Sequence, residues 1–138
     1  MTLEAALHAR WSTSAELLAL VPADRFLTGF AHRETTLDNL PCVMLTRAGN
    51  VPLARTSRTL VEQANVRLQI WSRTHTQATL IRGLILQAFN AADWASGPTQ
   101  IVQCRLVSDD ALQEDDDVWQ WILVFEVTYQ EPVLWPVR

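Results

Sequence analysis

The stretch Val118-Trp-Gln-Trp-Ile-Leu-Val-Phe-Glu-Val-Thr-Tyr-Gln130 decides the fold. Its odd positions, Trp119, Trp121, Leu123, Phe125, Val127 and Tyr129, are all large and apolar. Side chains on a strand alternate between the two sheet faces, so this set predicts one buried face. The even positions mix Gln120, Glu126 and Thr128 with Val118, Ile122 and Val124. A few apolar residues on a solvated face are ordinary, but a cluster on adjacent strands more often marks an interface. Ile122 and Val124 are therefore expected at a contact between subunits.

Working outward, Thr99 to Ser108 is strand-like, and the acidic run from Asp109 to Asp117 reads as a solvated turn joining it to the last strand. Leu60 to Arg73 forms another long strand: Val66, Leu68 and Ile70 alternate with Arg67 and Gln69, and Trp71 falls on the polar side. Leu80, Ile81, Leu84, Ile85 and Ala88 predict a helix over His75 to Ala92, capped by Thr74 or Thr76. Asn90 to Pro98 reads as a loop. Leu40 to Arg47 predicts a strand, Ala48-Gly49-Asn50 a turn, and Val51 to Thr59 a long connection or the tip of an extended hairpin. Arg25 to Phe30 suits a short strand. Near the start, Leu3, Ala6, Leu7 and Trp11 share one helical side, and Ser14 caps a second short helix that Val21-Pro22 ends. The expected fold is α+β: one domain over 1–138, an antiparallel-rich mixed sheet of about four to five strands, and helices on one face.

Composition narrows the function. The 138 residues carry a net charge of −4, with 19% charged against 49% hydrophobic residues. That balance argues against a general binder of nucleic acid or acidic membrane, and the shortage of charge suggests apolar surface reserved for partners. All eleven positive charges are arginine. The sequence starts without the basic and apolar pattern of an export signal, and no run matches a membrane span, so synthesis and use in the cytoplasm are expected. Cys42 and Cys104 sit in strand-like runs and read as buried thiols. His8, His32 and His75 lack metal spacing, and the four glycines form no phosphate loop. No catalytic, cofactor or metal site is expected. The carboxylates from Asp109 to Asp117 lack the ligand spacing of a calcium loop. Arg47, Arg55, Arg58, Arg67 and Arg73 are either surface charges or a ring contact that meets the acidic turn of the next subunit.

Four stretches, in order, resemble one family. Leu3-Glu4-Ala5-Ala6-Leu7 with Ala15 to Val21 and Asp24-Arg25 looks like its N-terminal helical region. Leu40-Pro41-Cys42-Val43-Met44 and Val66 to Arg73 are similar to its first two long strands. Trp121 to Tyr129 looks like its closing strand. The family is that of the tail completion, or tail terminator, proteins of long-tailed bacteriophages. The resemblance implies a structural virion protein at the head–tail interface, assembled in the host cytoplasm, without catalysis or cofactor. It implies a ring, usually of six subunits, that ends tube polymerisation. Implied partners are further copies of the chain, the tail tube protein and a head–tail connector or stopper, with DNA only passing through the lumen and no membrane. Candidate interface residues are Arg47, Arg55, Arg58, Trp71, Asp115, Asp116, Asp117, Ile122, Val124 and Trp135, the last either a core plug or an anchor in a neighbour. Alternatives are another connector or tail-tube protein, or a small-molecule-binding α+β domain with a pocket lined by Trp119 and Trp121.

Overall fold

A computed structural model describes residues 3–29, 40–115 and 118–133. Helix α1 (Leu3–Ser12) buries Leu3, Ala6, Leu7 and Trp11, the stripe expected from its spacing. Ser14 Oγ accepts from the Leu17 N–H at 3.2 Å and starts α2 (Ala15–Leu20). A 3₁₀ turn, Ala23–Arg25, leads into β1 (Phe26–Thr28). Then come β2 (Cys42–Arg55), β3 (Thr59–Ser72), α3 (His75–Phe89), β4 (Trp94–Ser96), β5 (Thr99–Asp115) and β6 (Val118–Pro132). Thr74 caps α3, its Oγ1 accepting from the Gln77 N–H at 3.1 Å.

The sheet has six strands in the order β1-β2-β3-β6-β5-β4, with β1 parallel to β2 and the other pairs antiparallel. Register builds the core directly. Ile70 faces Trp121, Leu68 faces Leu123, Val66 faces Phe125 and Ala64 faces Val127. On the other side of β6, Leu106 meets Phe125 and Ile101 meets Tyr129. One hydrophobic cluster joins this inner face to Trp11, Leu17, Ile81, Ile85 and Phe89 of the helices. Each such side chain stabilises the fold by about 1.5–3 kcal/mol relative to exposure.

Several expectations need correction. The strand count is six rather than four to five, because three-residue β1 and β4 add to the sheet edges. β2 does not turn at Ala48-Gly49-Asn50. Gly49 takes a φ of +74° at a bulge, where the register skips from Ala48 to Asn50, and the ladder continues to Arg55. Glycine at positive φ serves a bulge as readily as a turn. The acidic run is not a turn from Asp109 onward, since β5 stays paired with β6 as far as Asp115. The supposed loop around Trp94 is strand, and the Trp94 indole N–H donates to the Ala6 carbonyl at 3.0 Å, tying β4 to α1. Helix α3 ends at Phe89, and its buried residues are Ala78, Ile81, Ile85 and Phe89. Leu80 lies about 100° around the helix from Ile81, and 52% of it is exposed.

Both cysteines are buried and free. Cys42 pairs in register with Trp71 on the outer face, whereas Cys104 opposes Val127 on the inner one. Burial pushes the Cys42 thiol up to about 11 and Cys104 to about 12. Neither is a thiolate near neutral pH, so neither has the reactive form of a nucleophilic cysteine.

Candidate functional site

The second face of the sheet follows from the same register. Trp71 lies between Cys42 and Gln120, Gln69 between Met44 and Ile122, and Arg67 between Thr46 and Val124. The Gln69 side chain donates to the Gln120 side-chain oxygen across the β3–β6 rung. Met44 and Val118 are buried, while Trp71, Ile122 and Val124 are half-buried. None of these five belongs to the core cluster. The sheet thus carries a second apolar set on the face opposite its core.

A pocket of about 400 Å³ opens beside this set, between Met44, Thr46, Arg67, Gln69 and Trp71. Arg47 also borders it, but its charge is matched elsewhere. Its guanidinium lies 2.7 Å from Glu4 and 5.7 Å from the centre of the Tyr129 ring, fastening the start of α1 to β2. The Tyr129 hydroxyl in turn donates to Glu62 at 2.6 Å. Among the described residues, the buried Trp71 indole nitrogen has no hydrogen-bond partner.

The expected interface residues therefore separate. Trp71, Ile122 and Val124 come together on the outer face. Arg47 is engaged within the subunit, between the sheet and α1. Arg55 and Arg58 are exposed at the tip of the β2–β3 hairpin, which is exposed along β2 from Ala48 onward. Val51 and Leu53 on that arm are 56% and 52% exposed. Asp115 ends β5 at the opposite end of the sheet, since Thr59 pairs with Pro132 while Ser72 pairs with Trp119. Asp116, Asp117 and Trp135 lie outside the described residues. Met44, Thr46 and Gln69 were missed as neighbours of Trp71. Alternation along β3 marks Gln69 as outward, but only the β2–β3 register reveals the other two.

Trp119 and Trp121, considered as pocket walls, instead pack against the core. The His75 ring meets Trp119 edge-on at 4.9 Å. The Arg82 guanidinium lies 5.1 Å over the Trp121 ring and donates to both Asp109 oxygens at 3.0 Å. The Trp121 indole N–H also donates to Asp109. The Arg82 hydrogen bond, followed by that of Trp121, holds the Asp109 carboxyl below its ordinary value of 3.8. Stability from a depressed carboxylate is present above the unfolded value and lost as pH falls through the folded one. Asp109→Asn should therefore cost about 1.5 kcal/mol at neutral pH, the low end for bonds to charged groups. The low end applies because the two side chains remain 29% and 23% exposed. Urea midpoints should show the cost at pH 7 and its shrinkage below pH 3.8. A constant difference between the two proteins across that range would contradict the assignment.

Among the described residues, no group of three or more His, Cys, Asp or Glu converges as a metal site would. No described helix is long and apolar enough to cross a membrane.

Comparison with known proteins adds three findings. The sequence model of a family described as Tail completion protein gp17 matches residues 5–130. Among solved structures, a chain from the virion of a native gene transfer agent (GTA) particle aligns with a TM-score of 0.67. That alignment has 15% sequence identity and covers 93% of this chain and 94% of the other, a likeness of fold. No curated protein matches the sequence.

Proposed function

Because the chain belongs to the tail completion protein gp17 family, and so is a structural component of a phage-like tail, we propose that it forms the ring that ends the tail tube. Identical subunits, six on the pattern of the family it resembles, sit on the head-proximal end of the tube. There they stop further addition of tube protein and present a surface to the head connector. Partners are thus neighbouring copies, the tube protein and a connector or stopper, with DNA as cargo.

The observation that carries this reading is the second apolar set, Met44, Trp71, Val118, Ile122 and Val124, separated from the core by the sheet. Its half-exposed members, Trp71, Ile122 and Val124, support a protein partner on this face. The net charge of −4 is consistent with a lumen that releases DNA, because phosphate binding would require neutralising arginines or lysines.

Electron microscopy of the protein mixed with tail tubes tests the reading. A single ring at one end of each tube, with tube length fixed thereafter, is the expected result. Tubes that keep growing and show bare ends at saturating protein would overturn it.

A further inference from the structure

We propose that the trough between the α1–α2 elbow, α3 and β4 is a docking site for a segment of a partner protein that carries an aspartate or glutamate beside an apolar residue, with Arg10 receiving the carboxylate. A cavity of about 330 Å³ lies on one side of Arg10, between Thr13, Leu84 and Ala88. Another of about 240 Å³ lies on its other side, between Thr13 and Trp94. The Arg10 guanidinium is held from two directions. Its Nε donates to the Ala88 carbonyl at 2.9 Å, and its carbon lies 5.4 Å from the centre of the Trp94 ring. Trp94 is itself fixed, because its indole N–H donates to the Ala6 carbonyl and its ring meets Phe89 edge-on at 5.8 Å.

Those contacts fasten α1 to α3 and β4 through Nε and the flat of the guanidinium alone. Among the described residues, no hydrogen bond or ion pair engages the two terminal amino groups. Glu16 borders the larger cavity but makes no ion pair with Arg10. A guanidinium oriented in advance loses little freedom on binding, and its paired amino groups match the two oxygens of a carboxylate. Helix α3 supplies the apolar side. Leu84 lines the larger cavity, and Leu80, one turn earlier on the same side of the helix, is exposed and outside the core cluster. With a cavity on each side of Arg10, a chain can run past it, which suits a side-chain carboxylate rather than a chain end. The trough belongs to the helical layer, whereas Ile122 and Val124 lie on the opposite face of the sheet. A subunit held through that outer face therefore keeps this site open for a second protein.

Two acetylated, amidated tripeptides, Leu-Asp-Leu and Leu-Asn-Leu, test the site when titrated into the full chain and followed by NMR. The Trp94 indole signal should shift saturably with the aspartate peptide. That peptide should bind at least about tenfold more tightly than its asparagine analogue, as expected for a charge-assisted bidentate pair. Arg10→Lys keeps the charge but not the planar fork. Once shown by circular dichroism and melting to fold like the parent, it should bind the aspartate peptide at least about tenfold more weakly. The comparison of the two peptides on the parent needs no variant, so it decides the matter even where Arg10→Lys does not fold. Equal binding of the two peptides, no saturable shift, or undiminished binding by folded Arg10→Lys would overturn the site. Tube capping does not enter the readout, so the ring reading stands or falls separately.

Discussion

Trp11→Ala is expected to remove about 3–5 kcal/mol of stability, the usual cost of deleting a large buried aromatic. Trp11 is fully buried and stacked against Phe26 with ring centres 4.1 Å apart. It touches Phe89 at 6.2 Å, and its indole N–H donates to the Val21 carbonyl at 3.1 Å. One side chain therefore links α1, the end of α2, β1 and α3. Alanine would leave a cavity and an unmatched carbonyl, which add to the lost transfer energy. A domain of this size has a margin of about 5–15 kcal/mol, so a large part of it would go. Melting should fall by about 10–20 °C. Trp11→Phe keeps most of the volume but not the hydrogen bond, and it should retain roughly half of the lost stability. Urea unfolding of the three proteins measures both effects. A shift below about 1 kcal/mol for the alanine variant would show that α1 lies outside the cooperative core.

The second large effect concerns assembly. Replacing both Ile122 and Val124 with lysine should abolish capping while the monomer stays folded. Both are half-buried on the outer face, facing Gln69 and Asp110 at one position and Arg67 and Ser108 at the other. A lysine at 122 gains Asp110 as a neighbour, whereas one at 124 lies beside Arg67. The net cost to the monomer should stay near 1 kcal/mol, the range of strand propensity. In a ring, the same change buries charge at every subunit contact, where truncating even one anchor residue can cost 2 kcal/mol or more. Capped tube ends counted by electron microscopy, alongside a melting curve of the free protein, separate the two effects. Unchanged capping would show that this face does not contribute to assembly. Loss of folding would place these residues with the core.

The core face of β3 and β6 was legible from the sequence because alternation is local. Leu68 and Leu123 are marked as inward by their own neighbours in the chain, and the β3–β6 register then brings them together. The same holds for Leu3, Ala6, Leu7 and Trp11, whose helical spacing identifies their buried side. Punctuation was less reliable. Gly49 has the local signature of a turn but forms a bulge, since the local sequence cannot say whether a partner strand continues beyond it. Asp109 opens an acidic run that locally resembles a turn, yet it lies in β5 and answers to Arg82, a residue 27 positions away. The sequence leaves Arg47 as a surface charge or a subunit contact, but in the fold Glu4 and Tyr129 claim it from opposite ends of the chain.

For the strand Val118 to Gln130, the sequence determined that Trp119, Trp121, Leu123, Phe125, Val127 and Tyr129 share a face and that Ile122 and Val124 oppose it. A period of two is a property of one strand's backbone. Only the tertiary structure decided what each face meets. It set β6 between β3 and β5, put Gln69 and Arg67 beside Ile122 and Val124, and gathered Met44 and Trp71 around a pocket. Those neighbours depend on strand order and register, which the whole chain settles in closing its core.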